Sequence, residues 1–253
     1  MWPRIGPIPT YSIFYSVGIL IHFFVSYLIA RRLGLRHRVW IVVSICYMEG
    51  MTVGAKVLYD LQQGQFDISA LLTIEHHLKG GLWGGLLVYF ALAVPLAYLL
   101  ARRRLAGLDL VALSLPGPLI LAKLGCLFKG CCYGRPSSVP WAITFGEGAE
   151  GAPAGVPVHP TQIYEILVIV CVVVVFGLLE GQRWRGTMLL WFLIVYGFGR
   201  ATTELWRGDV TGHVCFGRLT LSQLVCLLAA AVSGFALYFR HGVCAPGPPS
   251  ARV

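Results

Sequence analysis

Seven long apolar runs constrain the fold of this chain more than any other feature of its sequence. The runs cover roughly 11–30, 39–58, 80–101, 108–128, 159–179, 187–205 and 219–239. Each is about 20 residues long, which is the length a helix needs to cross about 30 Å of hydrocarbon. Lipid offers the backbone no hydrogen-bond partners, so a spanning run must be helical. We therefore expect an all-α polytopic membrane protein with about seven transmembrane helices.

The composition agrees with a chain that lies mostly in lipid. Hydrophobic residues make up 57% of the 253 residues and charged residues 12%, and the mean hydropathy is +0.74. These values exclude an ordinary soluble domain. We expect one integral membrane domain over residues 1–243, with outer-face segments at 60–79 and 129–158. The Pro-rich tail, 244–253, is typical of disorder.

The basic residues are distributed unevenly between the two sides of this bundle. Eleven follow the odd-numbered runs: Arg31, Arg32, Arg36, Arg38, Arg102, Arg103, Arg104, Arg183, Arg185, Arg240 and Arg252. The opposite loops carry Arg4, Lys79, Lys129, Arg135, Arg207 and Arg218. The positive-inside rule therefore predicts the N-terminus outside and the C-terminus inside. The net charge of +9 is explained by topology and by anionic lipid, and we expect no nucleic-acid partner.

The segment 123–135 concentrates reactive groups where the fourth run ends. It contains two lysines, one arginine and three of the eight cysteines of the chain. A charge inside or at the rim of a bilayer indicates a functional site by default. Snorkelling to the headgroups would explain Lys129 and Arg135, but it does not explain Lys123, which lies deeper in the run.

The three cysteines of this segment allow several interpretations. A disulfide from Cys126 to Cys131 or Cys132 would pin the loop to the fourth span, and an oxidising outer compartment would favour it. One thiol could instead be a nucleophile, activated by nearby cations, or a redox couple could form. Metal binding together with His76 and His77 is disfavoured, because neighbouring histidines rarely point the same way. We expect no metal and no cofactor.

The sixth run carries a polar face. Tyr196, Arg200 and Glu204 follow one another at i, i+4 and i+8, so they share one side of a helix. They form either a packing pair of Arg200 with Glu204 or the lining of a site for an anionic ligand. Arginine suits phosphate because its planar fork offers several donors and stays charged. We prefer the second interpretation, since Lys123 and Lys56 give other runs cations too.

Two further groups could take part in proton transfer. His159 precedes Pro160 at the start of the fifth run, where a capping or hydrogen-bonding role is favoured over that of a general base. Lys79 precedes the third run and either marks the membrane rim or, if desolvated, serves as a base. Tyr11, at the start of the first run, could belong to an aromatic belt.

Several motifs follow one another along the chain: Tyr11-Ser-Ile-Phe-Tyr15, Gly54-Ala-Lys56, Lys79-Gly-Gly-Leu82, Lys123 to Arg135 with Gly125, Gly130 and Gly134, His159-Pro-Thr-Gln-Ile-Tyr-Glu165, and Tyr196-Gly-x-x-Arg200-x-x-x-Glu204-x-x-Arg207. In order and spacing they resemble the prolipoprotein diacylglyceryl transferase family. The resemblance implies transfer of a diacylglyceryl group from phosphatidylglycerol to the lipobox cysteine of a preprotein, with release of glycerol phosphate. It places this reaction at the outer face of the bacterial inner membrane.

The resemblance also assigns roles. Arg200 and Lys123 would contact the phosphate, Glu204 would orient Arg200, and Tyr11 and Tyr196 would bond to the headgroup. With the candidates from the residues themselves, the expected catalytic set is Lys79, Arg200, Glu204, Cys131 and Cys132. The expected substrate-binding set is Lys123, Tyr11, Tyr196, Cys126, Arg135, Arg207 and His159.

The sequence departs from the family pattern at positions where the resemblance would place reactive or phosphate-binding side chains. Lys79 stands where the family has His, Lys123 where it has Arg, Cys126 and Lys129 where it has Asn, and Cys131 where it has Glu. These exchanges leave open a divergent enzyme that uses Cys131 or Cys132 as a relay thiol for another acceptor. They also leave open a non-catalytic lipid-binding or thiol-redox membrane protein.

Overall fold

The computed structural model describes residues 4–6, 8–62, 64, 82–179, 186–209, 214–215 and 219–243. Helices dominate this part of the chain. In order they are α1 (Thr10–Arg32), α2 (His37–Glu49), α3 (Ala55–Gln62), α4 (Leu82–Leu100), α5 (Arg104–Leu113), α6 (Pro116–Lys129), α7 (Thr161–Leu178), α8 (Thr187–Thr203) and α9 (Leu221–Val243). A π-helical turn, Gly50–Gly54, joins α2 to α3, and a 3₁₀ turn, Glu204–Trp206, follows α8.

The helices confirm the expectation of an all-α polytopic membrane protein. Five helical stretches of the described residues are long and apolar enough to cross a membrane: Thr10–Arg32, His37–Val57, Arg104–Lys129, Thr161–Leu178 and Leu221–Arg240. Gly84–Leu100 is a shorter apolar helix, and α8 has 17 residues. Each of the seven apolar runs thus contains a helix. A total of seven spans and an N-terminus outside remain predictions.

Short antiparallel strand pairs lie before α1 and in two of the connections between helices. They join β1 (Arg4–Ile5) to β2 (Ile8–Pro9), β3 (Ile143–Thr144) to β4 (Pro157–Val158), and β5 (Val214–Cys215) to β6 (Leu219–Thr220). The β3–β4 pair lies within the segment 129–158, which is a folded loop, as expected for a Gly- and Pro-rich stretch. The interfacial helix considered for 68–74 and the tail 244–253 lie outside the described residues.

The starts of α1, α7 and α9 and the ends of α6 and α8 lie at the same end of the bundle. Hydrogen bonds join the loop after α6 to Thr161, and Glu204 to Thr220 and Ser222. We call this the loop end. The last turn of α1 and the start of α5 lie at the opposite end and carry Arg31, Arg32 and Arg104, among the cations assigned above to the inner side.

The run at 108–128 contains a break that hydropathy does not predict. α5 ends at Leu113 and α6 begins at Pro116. Proline has no backbone N–H and is therefore favourable at a first helical position but not within a helix. Ser114 and Leu115 form the break and are fully buried. The segment 108–128 is therefore two helices rather than one.

Buried Asp109 on α5 fixes the start of α8. Its carboxylate accepts hydrogen bonds from the backbone N–H groups of Gly186 and Met188, at 3.1 and 3.0 Å. The side chain is fully buried, and a carboxylate at a helix N-terminus is stabilised by the helix dipole. This contact positions α8, the helix that carries Tyr196 and Arg200.

Glycines allow the π-helical turn to approach α4 closely. A Cβ atom on Gly50 would lie 2.8 Å from the backbone nitrogen of Tyr89, and one on Gly54 would lie 2.6 Å from the Cβ atom of Val88. Small residues at such crossings are typical of helix packing in membranes, where backbones meet directly. α1 packs on α6, α2 on α4, and α8 on α7 and α9.

Candidate active site

The end of α6 brings three cysteines together. Gly130 follows Lys129 at φ 81°, in the left-handed region that favours glycine. The backbone N–H groups of Gly130 and Cys131 both donate to the carbonyl of Cys126, at 2.9 and 3.2 Å. This turn reverses the chain, so the Sγ atoms of Cys126, Cys131 and Cys132 all lie within 4.8 Å of one another. They are free thiols in this structure, and which thiol role applies remains a prediction.

The start of α7 holds the cysteine loop in place. Thr161 Oγ1 donates to the carbonyl of Cys132, and Gln162 Nε2 donates to the carbonyl of Cys131 at 2.8 Å. Both side chains are fully buried. Cys132 has φ 60°, a conformation that costs a residue other than glycine about 1–3 kcal/mol. The contacts from α7 therefore keep the loop in a shape that it would not adopt alone.

Buried ion pairs link α6, α7 and α8. Lys123 Nζ lies 2.7 Å from Glu165 Oε2, and Arg200 Nε lies 3.7 Å from the same oxygen. Arg200 also pairs with Glu204, four residues later at the start of the 3₁₀ turn that follows α8. Lys123 and Arg200 are each 2% exposed and Glu165 is 1% exposed. Charges so deeply buried are stable only when they are paired.

Glu204 continues the ion pairs beyond α8. Its Oε2 lies 3.6 Å from Arg207 Nη1, and its Oε1 accepts hydrogen bonds from Ser222 at 3.0 Å and Thr220 at 3.2 Å. Arg207 in turn pairs with Asp209, at 2.9 Å from Nε to Oδ1. We call these six charged residues the ion network: Lys123, Glu165, Arg200, Glu204, Arg207 and Asp209.

The ion network and the cysteines form one site. Lys123 and Arg207 both interact electrostatically with Cys132. Tyr11, at the start of α1, interacts with all three thiols. Tyr196 interacts with the ion network from α8 and is 6% exposed. The site therefore combines cations that can hold a phosphate, phenols that can bond to a headgroup, and thiols.

The three thiols differ in acidity. Hydrogen bonds from Cys126 and Cys131, together with the positive charges of Arg207 and Lys123, hold the pKa of the Cys132 thiol well below its usual range. For Cys131, the hydrogen bond with Cys126 lowers the pKa, but the bond with Cys132 and burial outweigh it and raise the pKa to about 12. Cys132 is therefore the thiol that ionises before Cys131.

Arg135 links two loops at the border of the site. Its backbone N–H donates to the carbonyl of Trp206 at 2.8 Å, and its Nε donates to the carbonyl of Arg207 at 3.3 Å. The approach is close, because a Cβ atom on Gly208 would lie 2.6 Å from the carbonyl oxygen of Gly134. The side chain of Arg135 is exposed. Its role in substrate binding remains a prediction.

His159 lies beside an apolar groove between α7 and α8. The groove has a volume of about 810 Å³ and includes Leu167 and Trp206 among its lining. His159 Nδ1 lies 3.0 Å from the hydroxyl of Tyr164, which also accepts a hydrogen bond from Trp141 Nε1 at 2.7 Å. His159 thus makes the hydrogen bond expected of it, at the rim of the groove.

Most of the expected site residues meet in one place. The structure brings together Tyr11, Lys123, Cys126, Cys131, Cys132, Tyr196, Arg200, Glu204 and Arg207, and places Arg135 and His159 at the border. Lys79 lies outside the described residues. Sequence reasoning missed the central position of Glu165. The signal was present, because a carboxylate inside an apolar span needs a cationic partner.

Comparisons with known proteins give the family that this chain resembles along most of its length. Residues 3–239 match the family described as prolipoprotein diacylglyceryl transferase. The chain is 31% identical over 202 residues to a phosphatidylglycerol–prolipoprotein diacylglyceryl transferase of Clostridium tetani, covering 76% of this chain and 77% of that one. A protein of the same name from Nitratidesulfovibrio vulgaris is 31% identical over 210 residues, with 79% and 74% covered. Another from Coxiella burnetii is 28% identical over 200 residues, with 76% and 74% covered.

Proposed function

Because the chain belongs to the prolipoprotein diacylglyceryl transferase family, we propose that it moves a diacylglyceryl group from phosphatidylglycerol to the lipobox cysteine of a preprotein. The observation that carries this proposal is the ion network, which places buried Lys123 and Arg200 and half-buried Arg207 beside the thiols. Its members Lys123, Glu165, Arg200, Glu204 and Arg207 all belong to the motifs through which the sequence resembles the family.

The cations of the ion network are placed to stabilise the negative charge of the leaving group, glycerol phosphate. The acceptor sulfur attacks the diacylglyceryl carbon that carries the phosphate ester, the C–O bond breaks, and glycerol phosphate leaves with the electron pair. Negative charge therefore grows on the phosphate in the transition state. Lys123, Arg200 and Arg207 stabilise that charge best when they are fixed in advance in a site shielded from water. Glu165 and Glu204 hold the three cations in position, because each carboxylate bridges two of them.

Two buried acceptors on α7 suit a glycerol headgroup. Gln162 Oε1 and Glu165 Oε1 are buried and have no hydrogen-bond partner among the described residues. A buried acceptor without a partner is costly, so a ligand that donates to both would be favoured. The two hydroxyls of a phosphatidylglycerol headgroup are such donors. The phenols of Tyr11 and Tyr196 lie close enough to the site to complete this pocket.

The acceptor is proposed to be an external thiol rather than a cysteine of this chain. A relay through Cys131 or Cys132 would first form a thioether on the enzyme. The C–S bond of a thioether lacks a good leaving group, so covalent catalysis would not split this transfer into two easier steps. Lys79 is retained as a candidate base, with the pKa depression that a lysine needs for that role.

The proposed location is the bacterial inner membrane, with the site facing the periplasm. The family consists of membrane enzymes, and the described helices include several that are apolar enough to span a bilayer. The site lies at the loop end, whereas Arg31, Arg32 and Arg104 lie at the opposite end. The positive-inside rule then supports a cytoplasmic position for the arginines and an outer position for the site.

A transfer assay tests the proposed function. Purified protein is given phosphatidylglycerol labelled in its diacylglyceryl part and a lipobox peptide, and label on the peptide is measured. We expect label on the cysteine peptide, none on the same peptide with serine, and little with phosphatidylethanolamine as donor. The Clostridium tetani relative serves as a parallel standard. If that protein labels the peptide and this chain does not, the proposed function is wrong.

A further inference from the structure

The proposed diacylglyceryl transfer forms no bond to a cysteine of this chain, yet the fold brings together the thiol cluster (Cys126, Cys131 and Cys132). Among the described residues, these three cysteines have their Sγ atoms within 4.8 Å of one another and could act together as metal ligands. Zinc–sulfur bonds are about 2.3 Å long, so three sulfurs on one tetrahedral ion stand about 3.8 Å apart. Closing the group on an ion therefore needs a shift of about 1 Å at most.

The loop is held in a shape that suits ligation. Thr161 and Gln162 bind the carbonyls of Cys132 and Cys131, and Cys126 is anchored on α6. Cys132 adopts a left-handed backbone conformation that the surrounding contacts must impose. Rigid support of this kind is what holds metal ligands in place, because a loose ligand set binds weakly.

The charges around the cluster favour a bound zinc thiolate. Three thiolates without an ion would repel one another strongly in a buried site. With one Zn²⁺ ion the group carries a single net negative charge, by the charges of the ion and its ligands. Lys123 and Arg207 both interact with Cys132 and would offset that charge.

We propose that Cys126, Cys131 and Cys132 bind one Zn²⁺ ion whose fourth position is open to the acceptor thiol. Soft thiolate ligands select Zn²⁺, Cu⁺ or iron–sulfur clusters. Zn²⁺ fits a site of three protein ligands because catalytic zinc keeps an open position for substrate. This proposal replaces the sequence-based expectation that the chain binds no metal.

The role of the ion rests on the proposed function, whereas its binding does not. An acceptor thiol loses its proton to water when it binds zinc, since a coordinating thiol is deprotonated outright. Its sulfur then attacks the diacylglyceryl carbon, a C–S bond forms, and the C–O bond to glycerol phosphate breaks. This activation would explain how the site works with Lys79 where the family has a histidine base.

Zinc content tests binding without any substrate. Full-length protein is purified with zinc supplied and no chelator, and metal per chain is measured by mass spectrometry. We expect about one Zn²⁺ per chain and its loss in Cys126→Ser, Cys131→Ser and Cys132→Ser. Cys46→Ser, a buried cysteine on α2, and Cys171→Ser, an exposed one on α7, should keep the ion. Wild-type protein without zinc, or with a disulfide within the cluster, overturns the proposal.

Cobalt substitution tests the open position. Co²⁺ in the wild-type protein should show the thiolate-to-metal absorption of a tetrahedral sulfur site. That absorption should grow when the lipobox peptide is added and stay unchanged with the serine peptide. A cobalt spectrum without thiolate-to-metal absorption contradicts the zinc site. Purified protein that holds Cu⁺ tightly in place of Zn²⁺ contradicts it as well. A cobalt site that ignores the cysteine peptide contradicts its role in activation. Failure of transfer alone, with zinc retained and the peptide response intact, would count against the proposed function and not against the site.

Discussion

Two groups of polar side chains within the described part of the bundle differ in charge. The ion network at the loop end consists of lysine, arginine and carboxylate groups drawn from α6, α7, α8 and the segment after α8. A second group, which we call the neutral polar cluster, lies between α1, α2 and α4. Its members are His22, Ser26, Trp40, Ser44, Tyr47 and Tyr89.

The neutral polar cluster is held by stacking and ordinary hydrogen bonds. The ring of His22 stacks on that of Tyr47 with centroids 3.9 Å apart. Ser26 and Ser44 have their hydroxyl oxygens 3.2 Å apart, and Trp40 Nε1 donates to Ser26 Oγ at 3.0 Å. Neither ring nitrogen of His22 has a hydrogen-bond partner among the described residues. These contacts fasten helices together and require no charge.

From this difference we infer that the ion network serves function and that the neutral polar cluster serves packing. Charged side chains cost far more than neutral ones inside a membrane, so a protein keeps them where chemistry needs them. The ion network also coincides with the motifs that resemble the family, whereas His22, Ser26 and Trp40 belong to none of those motifs. We therefore expect changes in the ion network to alter transfer, and changes in the neutral polar cluster to alter stability at most.

The largest effect is expected from Glu165→Gln. Removing this carboxylate leaves Lys123 buried without its partner at 2.7 Å, which should cost about 3–5 kcal/mol in the free energy of unfolding. Denaturant unfolding in detergent measures the loss. Glu150→Gln is the matched control, because the exposed Lys129–Glu150 pair should contribute only about 0–1 kcal/mol. Equal losses of unfolding free energy in the two variants would show that Glu165 does not form a stabilising bridge between Lys123 and Arg200.

Arg200→Lys should reduce transfer strongly while keeping the fold. Lysine retains the charge but not the planar fork that binds phosphate through two hydrogen bonds. We expect a fall of about 10²–10³-fold in the transfer rate, by analogy with the loss of one donor to a transition-state charge. The rate is measured per folded molecule, with Arg104→Lys at the opposite end as control. A rate close to that of the wild type would remove Arg200 from the phosphate site.

Trp40→Phe should affect stability and spare transfer. The change removes hydrogen bonds from Nε1 to Ser26 Oγ at 3.0 Å and to the carbonyl of Phe23 at 3.1 Å. We expect a loss of about 1 kcal/mol in the free energy of unfolding. Unfolding and transfer are measured on the same preparation. A transfer rate that falls further than the folded fraction would give the neutral polar cluster a part in function.

His22→Phe should have the smallest effect. The ring is fully buried and stacked, and its nitrogens make no hydrogen bonds within the described residues. Replacing a buried polar group without partners by an apolar one of similar shape is nearly neutral or stabilising. Thermal unfolding should therefore be unchanged or slightly higher, with transfer unchanged. A marked loss of either would show that the His22 nitrogens have a role beyond stacking.

Hydropathy predicts the helices of this protein well because lipid enforces helical structure on every apolar run. It does not predict the break at Ser114 and Leu115, since a run of apolar residues looks continuous whether or not the helix is interrupted. The i, i+4 pairing of Arg200 with Glu204 follows from spacing within one helix. The bridge from Lys123 through Glu165 to Arg200 joins three helices, and only tertiary packing brings those residues together.

Simultaneous measurement of both products tests the central claim most directly. Phosphatidylglycerol labelled in its headgroup and a lipobox peptide are given to the wild-type protein and to Arg200→Lys, and lipidated peptide and released glycerol phosphate are counted together. We expect equal amounts of the two products from the wild type, and a parallel fall of both in the variant. Glycerol phosphate without lipidated peptide, or lipidation that Arg200→Lys does not slow, would contradict transfer at the ion network.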